Sequence, residues 1–356
     1  MKIAIIDPSS YTLPYDKFYT LEVKKELDVE FYLSSLSGIS EGFVESLNKK
    51  GIETKEFKVS AKNYTRFRGV KEYLMMLFMV TKKYHQYDYI HFQWSIFFLL
   101  ELPFFLFLRR KLIFTIHNDV PHSYKGKIYL PYWLISKIAK KIVFVSQYTK
   151  SQFEKNYGFS QKYILVQHGL MRVENSSKTE VNFAKFDCSR VVFWGRVERY
   201  KGIDIFLKNF EDVNVSIVGR WTKELTILKE QLLEKPNILI HDEYISESEI
   251  YSLISNTKSI FILPYSSGTQ SGVLYTFLAH SCVFVSSNVG ENYQFLKKHG
   301  LEQLSFDRED SQSILSAYKY ALLNFDQLKI RMREISEEYK WDRILSTKKI
   351  ATIYES

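Results

Sequence analysis

Apolar runs of strand length alternate with segments of helical spacing along almost the whole chain. In the first half, KIAIID (2–7), VEFYLSS (29–35), ETKEFKVS (53–60), YDYIHFQW (87–94), KLIFTIH (111–117), KIVFVS (141–146) and KYILVQ (162–167) predict strands. Helical patterns fall between them, near 14–27, 40–50, 69–85, 96–109, 127–140 and 147–157. Apolar strands separated by helices imply parallel βαβ units, because a parallel partner is reached only by a crossover. The segment 171–187, MRVENSSKTEVNFAKFD, is polar and aperiodic and predicts a domain linker.

A second alternation follows. VVFWG (191–195), VNVSIVG (213–219), NILIHDEYI (237–245), SIFILPY (259–265) and VFVSSN (283–288) predict strands. Helices are predicted near 202–210, 222–233, 246–256, 270–281 and 291–299, and charged helical patterns continue from about Glu309, with Trp341 opening the last. The pattern predicts an α/β chain of two doubly wound, Rossmann-like domains facing across a cleft. In such sheets ligands bind outside the carboxyl ends of the strands.

One helical stretch stands apart. Residues 96–108, IFFLLELPFFLFL, are apolar except for Glu101 and run into Arg109, Arg110 and Lys111. The run is too short for a bilayer span, which takes about 20 residues, and Pro103 interrupts it. A helix buried against a sheet satisfies this pattern. So does a helix lying in a membrane interface with 96–111 on anionic lipid.

The 356 residues accommodate two domains, at roughly 100–200 residues each. Lys+Arg 49 against Asp+Glu 40 gives +9, which suits an anionic membrane surface, a phosphorylated ligand or nucleic acid. The basic residues are scattered, and no basic run interleaved with aromatics forms a stacking groove, so nucleic acid is not an expected partner. Cys188 and Cys282 lack metal or disulfide-framework spacing, and MKIAIIDPSS lacks the features of a secretory signal. Both point to a reduced, cytoplasmic setting.

Candidate chemistry therefore belongs at strand ends. After VVFW come Gly195, Arg196 and Lys201, with a helix expected from Gly202. A glycine turn, a fork-shaped cation, a point charge and a helix start suit a diphosphate; a solvated surface loop fits the same local pattern. Gly219-Arg220 repeats the strand-glycine-arginine order. The run 264–272, with Tyr265, Gln270, Ser271 and Gly272, puts small residues before an apolar helix, where amides approach a phosphate or ribose. In the first half, IFTIH ends in His117-Asn118-Asp119, with Pro121-His122 close behind. His117 could donate to a substrate hydroxyl or a leaving-group oxygen, or simply pack in a turn. Asp7 could act in chemistry or cap the following helix. The nearby acids, Asp242-Glu243 and Asp307 with Asp310, form no Asp-x-Asp at a first-half strand end, so no metal site is expected.

Taken together these residues resemble a known family. FWGRVERYKGIDIF resembles the second-domain donor segment of GT-B glycosyltransferases of the group that includes the retaining family-4 enzymes. FILPYSSGTQSGVLYTFLAHSCVFVSSNVGENYQF is similar to that group's next donor-binding strand–loop–helix–strand, and IFTIHNDVPH resembles its first-domain His loop. EYKWDRI resembles the start of a helix that crosses back to the first domain. The implied domains are 1–170 for the acceptor, 171–188 as linker, 189–340 for the nucleotide-sugar donor, and 341–356 as the returning helix. The resemblance implies sugar transfer from a nucleotide-diphosphate donor, with retained configuration and no cofactor or metal. Arg196 and Lys201 would bind the diphosphate, with Gly195 and Arg220 alongside, and His117 would lie near the reacting centre. Gln270, Ser271, Gly272 and Val273 would contact sugar and phosphate, Tyr265 precedes them, and Tyr244-Ile245 would cover the base. The paired glutamates of many members fall here at Gly268 and Thr276, which marks a subgroup with a Gln-Ser-Gly run. Such an enzyme would extend a glycan or lipid-linked acceptor in cell-surface polysaccharide synthesis, peripheral to the inner face of the membrane. A UDP-sugar epimerase and a non-catalytic subunit of the same fold stay open at this point.

Overall fold

The computed structural model describes residues 1–9, 12–34, 40–59, 66–118, 120, 126, 128–173, 190–255, 258–268 and 271–355, with backbone alone at 40–42 and 66. The chain divides into two units: Met1–Gly169 together with Lys340–Ser356, and Leu170–Tyr339.

In the first unit the strands are β1 (Lys2–Asp7), β2 (Asp28–Ser34), β3 (Glu53–Phe57), β4 (Tyr89–Phe92), β5 (Leu112–Ile116), β6 (Lys141–Phe144) and β7 (Tyr163–Leu165). They form one parallel sheet in the order β3-β2-β1-β4-β5-β6-β7. The connecting helices are α1 (Leu13–Val23), α2 (Ser40–Lys49), α3 (Arg66–Lys82), α4 (Phe98–Leu108), α5 (Leu130–Ile138) and α6 (Gln147–Tyr157). Helices on both faces exclude water from the strands, which explains continuous apolar runs such as IVF in β6 where a one-sided sheet would alternate. α1 and α2 share one core; α3 to α6 share the other. The strand order reverses between β1 and β4, so their carboxyl ends flank a crevice.

The second unit repeats the plan with β8 (Val191–Trp194), β9 (Val215–Val218), β10 (Ile238–His241), β11 (Ile260–Leu263), β12 (Phe284–Ser287) and β13 (Ser305–Phe306), all parallel in the order β10-β9-β8-β11-β12-β13. Its helices are α7 (Thr226–Leu233), α8 (Glu247–Ser255), α9 (Gly272–Ala279), α10 (Gly290–Lys298), α11 (Ser311–Leu323) and α12 (Phe325–Ser336). Here the reversal lies between β8 and β11.

The chain then returns to the first unit through α13 (Trp341–Ile344) and α14 (Thr347–Tyr354). Trp341 is buried against Tyr15, Phe18, Tyr19 and His168. Gly169 must lack a side chain, because a Cβ there would collide with the Trp341 indole. Tyr354 completes the seam: its hydroxyl meets Tyr19 Oη at 3.0 Å and His91 Nδ1 at 2.7 Å.

Three features depart from the sequence reading, and a fourth expectation falls outside the described residues. No α-helix spans 202–210; Arg199–Lys201 and Ile203–Leu207 are 3-10 turns joined at Gly202, with φ of 67°. The segment is short and holds β-branched Ile203 and Ile205, poor material for a helix nucleus. β13 was not foreseen, since two residues carry no readable period. Lys111, read with Arg109 and Arg110 as a basic triplet, turns back to the protein: its ammonium donates to the Tyr84 and Tyr87 carbonyls at 3.2 and 2.5 Å. Finally, most of the predicted linker 171–188, with Cys188, lies outside the described residues. Only Met171–Val173 are seen, bonded to α9 and to His280.

Candidate functional site

The second-unit site is built from two glycine turns and a stitched loop. β8 ends at Trp194, and Gly195 takes φ of 137°; β9 ends at Val218, and Gly219 takes φ of 142°. A Cβ on Gly219 would strike the Gly195 carbonyl, so the two turns touch main chain to main chain. Val197 N–H donates to the Arg220 carbonyl at 2.8 Å, and Thr222 N–H donates to Val197 at 3.1 Å. Arg196 and Arg220 therefore emerge from adjacent strand ends.

Lys201 is buried, and its ammonium lies 3.8 Å from the centre of the Tyr265 ring and 5.1 Å from that of Tyr200. Burial lowers its pKa; Tyr200 and Glu198 pull it back up, and Arg196 adds repulsion. A cation kept partly desolvated over two aromatic faces is primed for an anion. Arg196 is half-exposed and pairs through Nε with Glu198 at 2.5 Å. Gly202 closes the turn, since a Cβ there would hit the Pro264 carbonyl.

The next loop is tied to this one. Ser266 N–H donates to the Tyr200 carbonyl at 2.7 Å, and Ser287 Oγ donates to the Tyr265 carbonyl at 2.7 Å. Tyr265 Oη and Ser271 Oγ lie 3.0 Å apart, which seats Ser271 as the residue before α9. A Cβ on Gly195 would lie 3.7 Å from Val273, so α9 starts beside the first glycine turn. Gly195, Lys201, Tyr265, Ser271, Gly272 and Val273 thus gather at the β8–β11 reversal. Gln270 lies outside the described residues. Ile245 is core and Tyr244 is exposed. Arg308 was missed: it bonds Asp204 at 2.9 Å behind Gly202, 104 positions away in sequence and invisible to local pattern.

His117 stands at the end of β5 in the first unit. Burial lowers its pKa to about 3, with His168 adding to the effect. The ring bonds the Gln93 main chain, and Nε2 has no hydrogen-bond partner among the described residues. A neutral ring whose N–H is given to a carbonyl keeps a lone pair on its other nitrogen, which can accept a hydrogen bond. It lines a cavity of about 280 Å³ with Trp94, Ser95, Thr115, Tyr129 and Tyr132, a lining the sequence did not signal. Asp7 holds a turn, accepting from Ser9 N–H at 3.0 Å and Ser9 Oγ at 2.9 Å, and does not cap α1, whose N-cap is Thr12. Buried Asp16 beside it has its pKa raised by burial and by the Asp7 charge. Asp119, Pro121 and His122 lie outside the described residues. Among the described residues no three His, Cys, Asp or Glu side chains are placed to hold a metal.

Comparisons with known proteins bear on this arrangement. The model of Glycosyltransferase Family 4 matches residues 46–170, and that of Glycosyl transferases group 1 matches 188–324. No curated protein sequence matches the chain. HepE of Anabaena, solved with UDP and glucose, is similar over 100% of both chains, with TM-score 0.75 and 15% identity. Sucrose-phosphate synthase of Thermosynechococcus elongatus covers 97% of this chain and 96% of its own, with TM-score 0.69 and 14% identity. The UDP-GlcNAc 2-epimerase of Neisseria meningitidis, solved with UDP-GlcNAc, covers 100% of both, with TM-score 0.62 and 12% identity. The chain is a glycosyltransferase of the GT-B fold.

Proposed function

We propose that the β8–β11 site holds the diphosphate of the donor and that Lys201, Arg196 and Arg220 meet the charge of the leaving nucleotide. The bond from the anomeric carbon to the phosphate oxygen breaks with its electron pair on the diphosphate, while an acceptor hydroxyl bonds that carbon and gives its proton to the leaving phosphate oxygen. Fixed cations aimed at the developing charge are the largest aid to such a step. Amides at Ser271, Gly272 and Val273, with Gln270 nearby in sequence, contact sugar and phosphate, and Tyr244-Ile245 covers the base. His117 takes a hydrogen bond from a hydroxyl near the reacting centre. Configuration is retained, and the protein's own cations do the work a metal would. The acceptor is a glycan or lipid-linked glycan of cell-surface polysaccharide, and the enzyme works at the inner face of the membrane.

The observation that carries the donor reading is Lys201, enclosed by Tyr200 and Tyr265 beside two glycine turns. Calorimetry with UDP-, GDP-, CMP- and dTDP-sugars tests it. One nucleotide class should bind the native chain, and Lys201→Ala should weaken that binding about 100-fold or more while the melting curve persists. Equal affinity in the variant removes Lys201 from the site. The fold shared with the 2-epimerase favours one other reading. Transfer frees the nucleotide and needs an acceptor, whereas an epimerised sugar stays attached, so product analysis separates them.

A further inference from the structure

The first unit leaves one apolar surface uncovered. α3, α4 and α5 are successive neighbours over the same core, and each carries an outward stripe at helical spacing. On α3 it is Phe67, Lys71, Met75, Phe78 and Lys82; on α4 Leu99, Pro103 and Phe107, continuing into Arg110; on α5 Leu130, Trp133 and Lys137. Leu99 is 85% exposed and Phe67 81%, where a face meant for water would be polar. Phe78 of α3 packs edge-on against Phe104 of α4 at 5.2 Å, and within α5 Lys137 lies over the Trp133 ring at 5.9 Å. Glu101 is folded back to accept from Ile96 and Phe97 N–H at 2.7 and 3.0 Å, so α4 shows no acid outward.

Charge selects the occupant. Residues 66–83, 96–111 and 128–141 hold eleven basic residues and two acids, Glu72 and Glu101; Lys83, Lys111 and Lys141 are bonded within the protein, which leaves eight basic residues for the surface. Two copies of such a face would repel each other, whereas a layer of lipid phosphates would attract it. No helix among the described residues is long and apolar enough to cross a membrane, so contact must be lateral. The segments leading into α4 and α5 also wall the His117 cavity, through Trp94, Ser95, Ile96 and Tyr129.

We propose that the three-helix face of α3, α4 and α5 docks on an anionic bilayer. Its Phe, Leu, Met and Trp side chains enter the headgroup boundary while Lys and Arg meet phosphates. The acceptor is then presented to the His117 cavity while still anchored in that bilayer. This rests on the lipid-linked acceptor proposed above and widens the lipid contact from one helix to three.

The test is co-sedimentation with vesicles of equimolar phosphatidylglycerol and phosphatidylcholine, against pure phosphatidylcholine. The native chain should bind the anionic vesicles at least about tenfold more tightly. A Phe78→Glu/Phe107→Glu/Trp133→Glu variant, altered only at exposed positions, should lose that binding with its melting curve unchanged. Native chain that stays in the supernatant, or variant that binds as the native does, overturns the proposal. So does sedimentation velocity showing a native dimer that the triple variant dissolves. Nucleotide-sugar calorimetry on both proteins keeps the two readings apart, because the substitutions lie outside the second unit. Donor binding without vesicle binding sinks the docking face alone, and vesicle binding without donor binding sinks the donor site alone.

Discussion

At the end of β8, two glycine turns lie against each other and cations crowd the rim; at the end of β5, an aromatic cavity surrounds a neutral imidazole. Both places are carboxyl ends in doubly wound parallel sheets. The second unit removes side chains, so that main-chain amides and Lys201 can approach an anion. The first keeps bulk there and buries its polar groups: Asp7 holds a turn, Asp16 lies beside it, and His117 has its pKa lowered to about 3. The shared fold supplies the location, and the local residues decide whether charge or shape does the recognition.

The largest effect that separates the units should be acid sensitivity. His91 and His117 have pKa values lowered to about 3 and His168 to about 4, each mainly by burial. In the unfolded chain they titrate near 6.5, so between that pH and about 4 the unfolded state binds more protons. Their stabilisation is complete above about 6.5 and is lost as pH falls toward the folded values. Each histidine adds a slope of up to about 1.4 kcal/mol per pH unit in that window, or about 4 for three, from which the opposite contribution of Asp16 is subtracted, because its raised pKa favours the folded state as pH falls. The second unit holds two such groups, His280 and His299, each lowered to about 4. Hydrogen exchange at pH 7 and pH 5 should show first-unit amides losing protection first. Equal loss in both units would mean burial of these rings is not what sets acid stability.

The strands were legible because burial on both faces leaves uninterrupted Val, Ile and Phe, and the turns because Gly195, Gly202 and Gly219 are punctuation. What local pattern does not carry is partnership. Nothing in YKGID says that Lys201 will be covered by Tyr265, 64 positions on, or that Arg308 will stand behind Gly202. The α4 stripe was readable as an apolar run. The α3 stripe was diluted by buried Tyr73, Met76 and Leu77, and only the packing of α3 on α4 makes one surface of the two. His117 was located correctly at a strand end, but its polarity depends on the Gln93 main chain, contributed by a different strand end.

A smaller effect follows from that polarity. His117→Leu removes the lone pair in a cavity that stays apolar, and one lost hydrogen bond costs about 1–2 kcal/mol, or roughly 5- to 30-fold. Turnover should fall by that factor while nucleotide-sugar affinity, measured by calorimetry, does not move. His117→Gln keeps an acceptor and should recover part of the rate. If affinity falls with turnover instead, His117 serves the donor, and the division of labour between the strand ends is wrong.

The smallest effect probes how the cations of the second unit are held. Glu198 pairs with Arg196 at 2.5 Å and also supports the charge on Lys201, so removing it has opposing consequences. Arg196 is half-exposed, and surface pairs of this kind are worth only about 0.2–1 kcal/mol, so releasing it is easy. Burial opposes the charge on Lys201 and Tyr200 supports it more than Glu198 does, and Glu198→Gln leaves Tyr200 in place. The release of Arg196 should therefore win, and donor affinity should rise about two- to fivefold, more at low salt than at high. A weaker affinity would show that Glu198 positions Arg196 for the diphosphate. The pair would then be part of the recognition surface, and charge at this strand end would be as tightly shaped as the cavity around His117.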